Sequence, residues 1–115
     1  MSTFQGTLEN WNLWNIQDKE LVSLILGRSG GITTSRIIDL ILQKPLNKNQ
    51  IAKTLNLDYK TVQYHINLLE VHKYAKSERF ENVTYIFPTQ KLFNALTEYK
   101  ITKEMCKIMN TERNE

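Results

Sequence analysis

Closely spaced helix-start signals leave room for only one short helix between them. Asn47 is followed three residues later by Gln50, which is the capping-box pattern of a helix N-terminus. Asp58 provides a second N-cap, and Asn56, just before it, tolerates the left-handed conformation that ends a helix. The intervening chain therefore accommodates a short helix and a tight turn. With the helix that follows Asp58, this predicts a helix-turn-helix.

Apolar residues stand on both sides of each predicted N-cap, at the positions of a hydrophobic staple, which fixes the angle at which the chain enters the helix. The pattern occurs around Thr33, Asn47 and Asp58, and the apolar pairs are Ile32 with Ile37, Leu46 with Ile51, and Leu57 with Val62. Pro45 ends the first of these helices at Lys44, because proline disfavours helical geometry in the residue before it. We therefore predict three short helices with tight corners.

C-terminal to these helices, the hydrophobic period changes from helical to alternating. Residues 74–77 and 83–87 are predicted strands, and residues 78–82 are the polar tip between them. The second strand places Val83, Tyr85 and Phe87 on one side, with Thr84 and Ile86 on the other. A helix-turn-helix followed by a hairpin is the winged-helix arrangement. The predicted fold class is mainly α with a small β-hairpin (α+β).

Further helices are predicted on both sides of this central unit. Residues 11–26 are rich in apolar side chains, with Asp18 suited to an N-cap and Gly27 to a helix end. The stretch GRSGG that follows fits neither the P-loop nor the dinucleotide-binding pattern, so we interpret it as a connector and not as a phosphate cradle. Thr89 begins a final helix that runs to about Met109.

The 115-residue chain has the length of one domain and, with 41% hydrophobic residues, can bury one core. Long apolar elements outside that core are expected to pack against a second copy or another partner. Cys106 is the single cysteine, which excludes an intramolecular disulfide and is typical of a reducing cytosol. The N-terminus lacks a signal-peptide pattern and no apolar run could span a bilayer. We therefore predict a cytoplasmic protein with no membrane partner.

Basic residues are concentrated in the middle of the chain. The net charge is +3 overall, whereas residues 35–80 carry eight basic and four acidic side chains, a net of +4. A local basic surface favours a polyanionic partner, because lysine and arginine neutralise phosphates and release counterions.

The stretch KPLNKNQIAKTLNLDYKTVQYHINLLE, residues 44–70, resembles the ArsR-like winged helix-turn-helix regulators, particularly small archaeal members. The wider resemblance covers residues 35–89, about half of the chain. It implies a transcriptional regulator that binds double-stranded DNA as a homodimer. In this family the terminal helices usually pair, which places two recognition helices one DNA turn apart in the major groove. The alternative is a winged helix that serves as a protein–protein interaction module in a larger assembly.

Two features depart from the family pattern. His72 and Lys73 stand where these regulators usually have a glycine after the recognition helix, and the hairpin tip carries Glu78 and Glu81. Carboxylates at the tip would repel a phosphate backbone. The recognition helix is therefore expected to contribute more to DNA binding than the hairpin.

A helix in the major groove presents the residues near its N-terminus to base edges. The base-reading candidates are the polar residues on the exposed side of the third helix, namely Tyr59, Lys60, Thr61, Gln63, Tyr64 and Asn67. Glutamine and asparagine can pair with adenine, and lysine can reach guanine or a phosphate. The phosphate-binding candidates are Lys48, Asn49, Gln50, Lys53, His65, Lys76 and Arg79.

These predictions divide the chain into three parts. Residues 1–30 are an N-terminal helical extension for dimerisation, residues 31–88 the winged helix-turn-helix, and residues 89–115 a C-terminal dimerisation helix with a frayed tail. The dimer-interface candidates are the apolar residues of the two terminal segments, namely Trp11, Leu13, Trp14, Leu92, Leu96, Tyr99, Met105 and Ile108.

The sequence contains no pattern typical of an enzyme or a metal site. His65 and His72 lie seven residues apart, which on one helix is about 10 Å and too far for two ligands of one ion. Cys106 falls in the apolar seam of the last helix, and no set of nucleophile, base and carboxylates is present. We predict no enzymatic activity, no metal and no cofactor. A small-molecule effector is not specified by the sequence.

Overall fold

The computed structural model describes residues 18–113, with side chains up to residue 109. Helices and strands follow one another along this part of the chain in the order α1 (Lys19–Leu26), α2 (Gly31–Gln43), α3 (Lys48–Leu55), α4 (Tyr59–Val71), β1 (Ala75–Phe80), β2 (Val83–Pro88), α5 (Gln90–Asn94) and α6 (Leu96–Arg113). The order confirms the predicted fold class, mainly α with a small β-hairpin. Helices α3 and α4 form the helix-turn-helix, and the hairpin follows as the wing.

The core forms around α2, which contacts α1, α3, α4, α6 and β2. Three isoleucines of α2, namely Ile37, Ile38 and Ile41, are at most 1% exposed. They belong to one apolar cluster with Val62, Ile66 and Leu69 of α4, each of which is 0% exposed. Full burial of one such side chain stabilises a fold by about 1.5–3 kcal/mol, so this cluster fixes α4 on the core.

The caps predicted at Asn47 and Asp58 are confirmed. The Asn47 side chain accepts a hydrogen bond from the Gln50 N–H (2.8 Å), and Gln50 Oε1 accepts one from the Asn47 N–H (2.9 Å). Asp58 accepts a hydrogen bond from the backbone N–H of Thr61 (2.7 Å), which lowers the pKa of the Asp58 carboxyl. Asn56 has the expected left-handed conformation, with φ of 55°. The turn between α3 and α4 therefore forms from local signals.

The start of α2 corrects the sequence prediction. The helix begins at Gly31 with Gly30 as its N-cap, so Thr33 lies inside the helix and does not cap it. The reason is a close approach between elements. A Cβ on Gly31 would lie 1.7 Å from the carbonyl oxygen of Ile25, so only glycine can pass this close to the end of α1. At its other end α2 stops at Lys44, which is extended before the proline, as predicted.

The hairpin is tied to the start of α3. The N–H of Ile86, which is fully buried, donates a hydrogen bond to the carbonyl oxygen of Leu46 (2.8 Å). The strands are longer than predicted, because residues 78–80 belong to β1 and not to the tip. The connection needs only Glu81 and Asn82, whose φ values of 56° and 131° reverse the chain within two residues.

The single C-terminal helix predicted from Thr89 is divided in two. The Thr89 side chain caps α5 by accepting a hydrogen bond from the Leu92 N–H (3.3 Å), as predicted. The backbone then leaves helical geometry at Ala95, which is 4% exposed and separates α5 from α6. The break redirects the chain, and α6 packs against α1 and α2.

Two predicted dimer contacts are used within the chain. Leu92 and Tyr99 are 0% and 1% exposed, and Leu96 is half-buried against the same core. The Tyr99 hydroxyl lies 2.7 Å from the carbonyl oxygen of Ser35 and 2.6 Å from Asp39 Oδ1. Burial, followed by the Asp39 carboxylate, raises the pKa of the Tyr99 phenol well above its usual range. Leu92 and Tyr99 therefore close the core of one chain, which corrects their assignment to a surface between two chains, whereas Leu96 keeps part of its side chain exposed.

The other dimer candidates have different environments. Met105 and Ile108 are 48% and 58% exposed on α6. Trp11, Leu13 and Trp14 lie outside the described residues. Between residues 18 and 113, no helix combines the length and the apolar character needed to cross a membrane.

Candidate nucleic-acid interface

One side of α4 is polar and faces solvent. Lys60, Tyr64 and Asn67 follow one another at helical spacing and share this side, with Tyr59 and Gln63 beside them. Tyr59 and Tyr64 are 44% and 57% exposed, although both carry large aromatic rings. Five of the six predicted base-reading residues thus form one exposed surface. We call it the α4 face (Tyr59, Lys60, Gln63, Tyr64 and Asn67).

The sixth candidate, Thr61, lies at the edge of this surface. It is half-buried, and its N–H is used by the Asp58 cap. The residue that follows it, Val62, is fully buried in the core. Thr61 therefore stands at the boundary between the buried and the exposed sides of the helix.

An open groove of about 410 Å³ borders the α4 face on one flank. It is lined by Asn47, Lys48, Asn49, Tyr59, Asn82, Val83 and Thr84, which come from the start of α3, the start of α4 and the hairpin. Two of the predicted phosphate-binding residues, Lys48 and Asn49, are among them. Backbone N–H groups at the start of α3 add positive partial charge at this place. A basic wall therefore adjoins the α4 face.

The other α3 candidates differ in what they offer. Lys53 is exposed and lies further along the same helix. Gln50 is exposed, but its side-chain oxygen accepts the hydrogen bond of the capping box. Of these two, Lys53 brings a charge to the surface, whereas Gln50 mainly holds the helix start.

The hairpin offers two exposed bases that already have partners. Lys76 pairs with Glu78 at 3.3 Å, and Arg79 donates a hydrogen bond to Asn82 at 3.4 Å. Side chains alternate between the two faces of the hairpin along β1. Arg79 pairs with Thr84, which lines the groove, so the two share one face, and Lys76 lies on the opposite face. Of the two, Arg79 is better placed to add positive charge beside the groove.

His65 is a predicted phosphate-binding residue that the structure places elsewhere. It is 5% exposed, and its Nδ1 lies 2.9 Å from Thr34 Oγ1 of α2. Burial, and to a smaller extent the nearby Arg28, lowers the pKa of the His65 imidazole below 6.5. An imidazole that is buried against Thr34 of α2 is not placed to contact a phosphate, so His65 braces α4.

Arg28 is a residue at this surface that the sequence prediction missed. It lies in the connector between α1 and α2, and its guanidinium reaches the exposed Tyr64 of α4. The two residues are 36 positions apart. An isolated arginine in a glycine-rich connector carries no sequence signal for such a contact, because only the packing of α4 against α2 brings the two together.

The second histidine belongs to a different cluster. His72 Nδ1 lies 2.5 Å from Glu20 of α1, and Lys91 of α5 pairs with the same carboxylate. The Lys91 hydrogen bond, followed by that of His72, lowers the pKa of Glu20 to about 2. This cluster joins α1 to the end of α4. Within residues 18–113, no three histidine, cysteine or acidic side chains are arranged to hold a metal ion.

Several solved structures share this fold. AdcR from Streptococcus pyogenes, an adhesin competence repressor, is 22% identical with a TM-score of 0.56, over 98% of this chain and 81% of that one. ZitR from Lactococcus lactis in complex with DNA is 20% identical with a TM-score of 0.55, over 95% and 76%. MepR, a transcription regulator of the Staphylococcus aureus multidrug efflux pump MepA, is 18% identical with a TM-score of 0.55, over 87% and 81%.

These likenesses confirm the winged-helix fold. The alignment with a point mutant of ZitR, at 22% identity and a TM-score of 0.55, covers 71% of this chain and 57% of that one. The similar proteins do not single out the ArsR-like regulators, so that finer resemblance stays a prediction. No protein-family model and no curated protein sequence matches the chain.

The burial of His65 generates a prediction about pH. Because its folded-state pKa lies below 6.5, the unfolded chain takes up the proton first as the pH falls. The contribution of His65 to the free energy of unfolding is complete above about pH 6.5, the pKa of the unfolded chain. It is lost progressively as the pH falls from there through the lowered folded-state pKa. Urea denaturation from about pH 7.5 to about pH 5.5 should show a falling free energy of unfolding, and a flatter profile for His65→Asn, which keeps a polar group near Thr34.

His72→Asn is the matched control, because it removes the half-buried histidine and leaves His65 in place. We expect this variant to retain the contribution of His65 to the pH dependence. An unchanged slope in His65→Asn would show that the buried imidazole does not titrate as described.

Proposed function

We propose that the chain is a transcriptional regulator that binds double-stranded DNA in a sequence-specific manner as a homodimer, with α4 in the major groove. The observation that carries the proposal is the α4 face. It consists of exposed hydrogen-bonding side chains without a carboxylate, and it is held outward by the burial of Val62, Ile66 and Leu69. Ordinary solvated helix faces of this length usually mix both charge signs.

The chemistry of the α4 face suits base edges. Gln63 and Asn67 can each make paired hydrogen bonds to adenine, and Lys60 can donate to guanine or to a phosphate. Tyr59 and Tyr64 add hydroxyl groups and flat apolar surfaces. With Lys48 and Asn49 beside Tyr59 in the groove, one flank of the helix is suited to the DNA backbone.

The similar structures support this proposal. ZitR was solved in complex with DNA, AdcR is a repressor, and MepR is a transcription regulator. At 18–22% identity they share the fold with this chain, and the same function is our inference from the α4 face together with that fold.

The homodimer rests on α6. Ile101, Met105 and Ile108 follow at helical spacing on the side of α6 that does not face the core. Two of them are about half exposed, at 48% for Met105 and 58% for Ile108. A second copy is the proposed cover for this stripe, because a two-fold dimer matches the half-sites of a pseudo-palindromic duplex.

A protein–protein interaction module is the second candidate function. Phe80 is 52% exposed on the outer side of the hairpin, and its ring centroid lies 6.3 Å from that of Tyr85 and 6.0 Å from that of Phe87. Exposed aromatic groups of this kind are common in protein interfaces. This candidate would be favoured if the folded protein bound no duplex DNA at low salt.

The first experiment measures binding to duplex DNA by fluorescence anisotropy over a salt series. The logarithm of the association constant should fall linearly with the logarithm of salt concentration, by about 0.9 for each phosphate neutralised. Affinity that does not change with salt would contradict a DNA interface built from Lys48, Lys53 and the start of α3.

A pair of substitutions separates base reading from backbone binding. Gln63→Ala should weaken the preferred duplex by about five-fold or more and leave a scrambled duplex unaffected, since it removes a paired hydrogen bond to a base. Lys53→Ala should weaken both duplexes alike and reduce the salt slope by about one. If neither change affected binding while wild-type binding persisted, the assigned surface would be wrong.

The dimer is tested by sedimentation equilibrium at micromolar concentration. The wild-type chain should sediment as a dimer, and Ile108→Asp should sediment as a monomer, because a charge in an apolar interface is costly to desolvate. Lys100→Asp is the control, since Lys100 is exposed on α6 away from the stripe. A monomeric wild-type chain would remove the dimer from the proposal.

A further inference from the structure

Arg28 is held in place by three hydrogen bonds. One Nη1 bond goes to the carbonyl oxygen of Leu24 (3.1 Å) and another to Thr34 Oγ1 (3.2 Å), and Nη2 lies 3.5 Å from the Tyr64 hydroxyl. Leu24 belongs to α1 and Thr34 to α2. The guanidinium is therefore fixed by the two helices that flank the connector, before it reaches α4.

Tyr64 meets Arg28 in a second way. The guanidinium carbon lies 5.8 Å from the centroid of the Tyr64 ring, within the range of a cation–π contact. The ring also packs edge-on against His65, with centroids 5.2 Å apart and planes at 79°. A side chain that is 57% exposed is thus restrained on two sides.

The network continues into the core. Thr34 Oγ1 accepts a hydrogen bond from Arg28 and also contacts His65 Nδ1 (2.9 Å). A Cβ on Gly30 would lie 3.1 Å from His65 Cε1 and 3.4 Å from Arg28 Nη2. The glycine connector therefore passes close to the side chains of both Arg28 and His65.

We propose that Arg28 is a positioning residue of the DNA interface, which orients the Tyr64 side chain on the α4 face and so sharpens sequence discrimination. This inference rests on the proposed function, because Tyr64 is assigned to base reading there. We assign Arg28 to act through Tyr64, because its three hydrogen bonds hold the guanidinium against α1, α2 and the Tyr64 hydroxyl. The salt dependence of binding distinguishes this role from an independent phosphate contact.

Arginine is suited to this role for a geometric reason. Its planar fork can donate to Leu24, Thr34 and Tyr64 at the same time while the guanidinium carbon stays 5.8 Å from the ring centroid. A lysine has the same charge but a single ammonium group, which cannot span these acceptors. Arg28→Lys therefore separates geometry from charge, whereas Arg28→Ala removes both.

The experiment begins with duplexes selected from a random pool by the wild-type protein. Dissociation constants for the selected duplex and a scrambled duplex are then measured, over a salt series, for the wild-type chain, Arg28→Lys, Arg28→Ala, Tyr64→Ala and the double variant that combines Arg28→Lys with Tyr64→Ala. Arg28→Lys should raise the dissociation constant for the selected duplex by about three- to ten-fold and leave that for the scrambled duplex unchanged. The double variant should bind no more weakly than Tyr64→Ala, and the salt slope of Arg28→Lys should equal that of the wild type.

Three results would overturn the positioning role. The first is that Arg28→Lys prefers the selected duplex over the scrambled one as strongly as the wild type does. The second is that the losses of affinity from the two single substitutions add in the double variant, which would mean that Arg28 acts independently of Tyr64. The third is a salt slope reduced by about one in Arg28→Ala with discrimination retained, which would identify a phosphate contact.

A measurement without DNA separates failure of this inference from failure of the proposed function. In the free protein, the aromatic NMR resonances of Tyr64 should shift in Arg28→Lys, whereas those of Tyr85 on the hairpin should not. Unshifted Tyr64 resonances in a folded Arg28→Lys variant would exclude the contact even if the wild type binds DNA. Shifted resonances in a protein that selects no duplex would reject the DNA-binding function and, with it, the role of Arg28 in discrimination.

Discussion

The contact between α2 and α4 determines most of what this molecule presents to its surroundings. Ile37 and Ile38 of α2 share one apolar cluster with Ile66 of α4, and each side chain is fully buried. Burial of each contributes about 1.5–3 kcal/mol, whereas the buried bond between Thr34 and His65 contributes on the order of 1 kcal/mol. Apolar packing therefore holds α4 on the core. The polar bond is satisfied at the same rotation of the helix, which brings His65 Nδ1 within 2.9 Å of Thr34 Oγ1.

The surroundings of α4 follow from that placement. The hydrogen bond between Ile86 and Leu46 fixes the hairpin against the start of α3, and both residues are buried in the core, so both walls of the groove are anchored to it. On the other flank, the connector carries Arg28 to Tyr64. The α4 face is thus bordered by a basic groove on one side and by a fixed guanidinium on the other. Groups that are already held in place lose less conformational freedom on binding, which suits the duplex recognition that we propose.

Local signals predicted the elements that depend on a few neighbouring residues. The caps at Asn47 and Asp58 and the left-handed Asn56 act within about one helical turn, so the sequence shows them completely. The exposed side of α4 followed from helical spacing, because buried Val62 and Leu69 specify which side faces outward. The winged-helix order and most of the α4 face could therefore be predicted before any contact was known.

The remaining features of the fold and of the α4 face depend on contacts between residues that are distant in the sequence. The start of α2 depends on how closely Gly31 passes the end of α1, and the burial of Tyr99 depends on the break at Ala95. The contacts of His65 with Thr34 and of Arg28 with Tyr64 form only because α4 packs on α2, and each joins residues more than thirty positions apart. The sequence by itself determined which helices form and which side of α4 is polar, because those are short-range effects. The tertiary structure alone decided which side chains remain available on that side, because burial depends on elements that are remote in the chain.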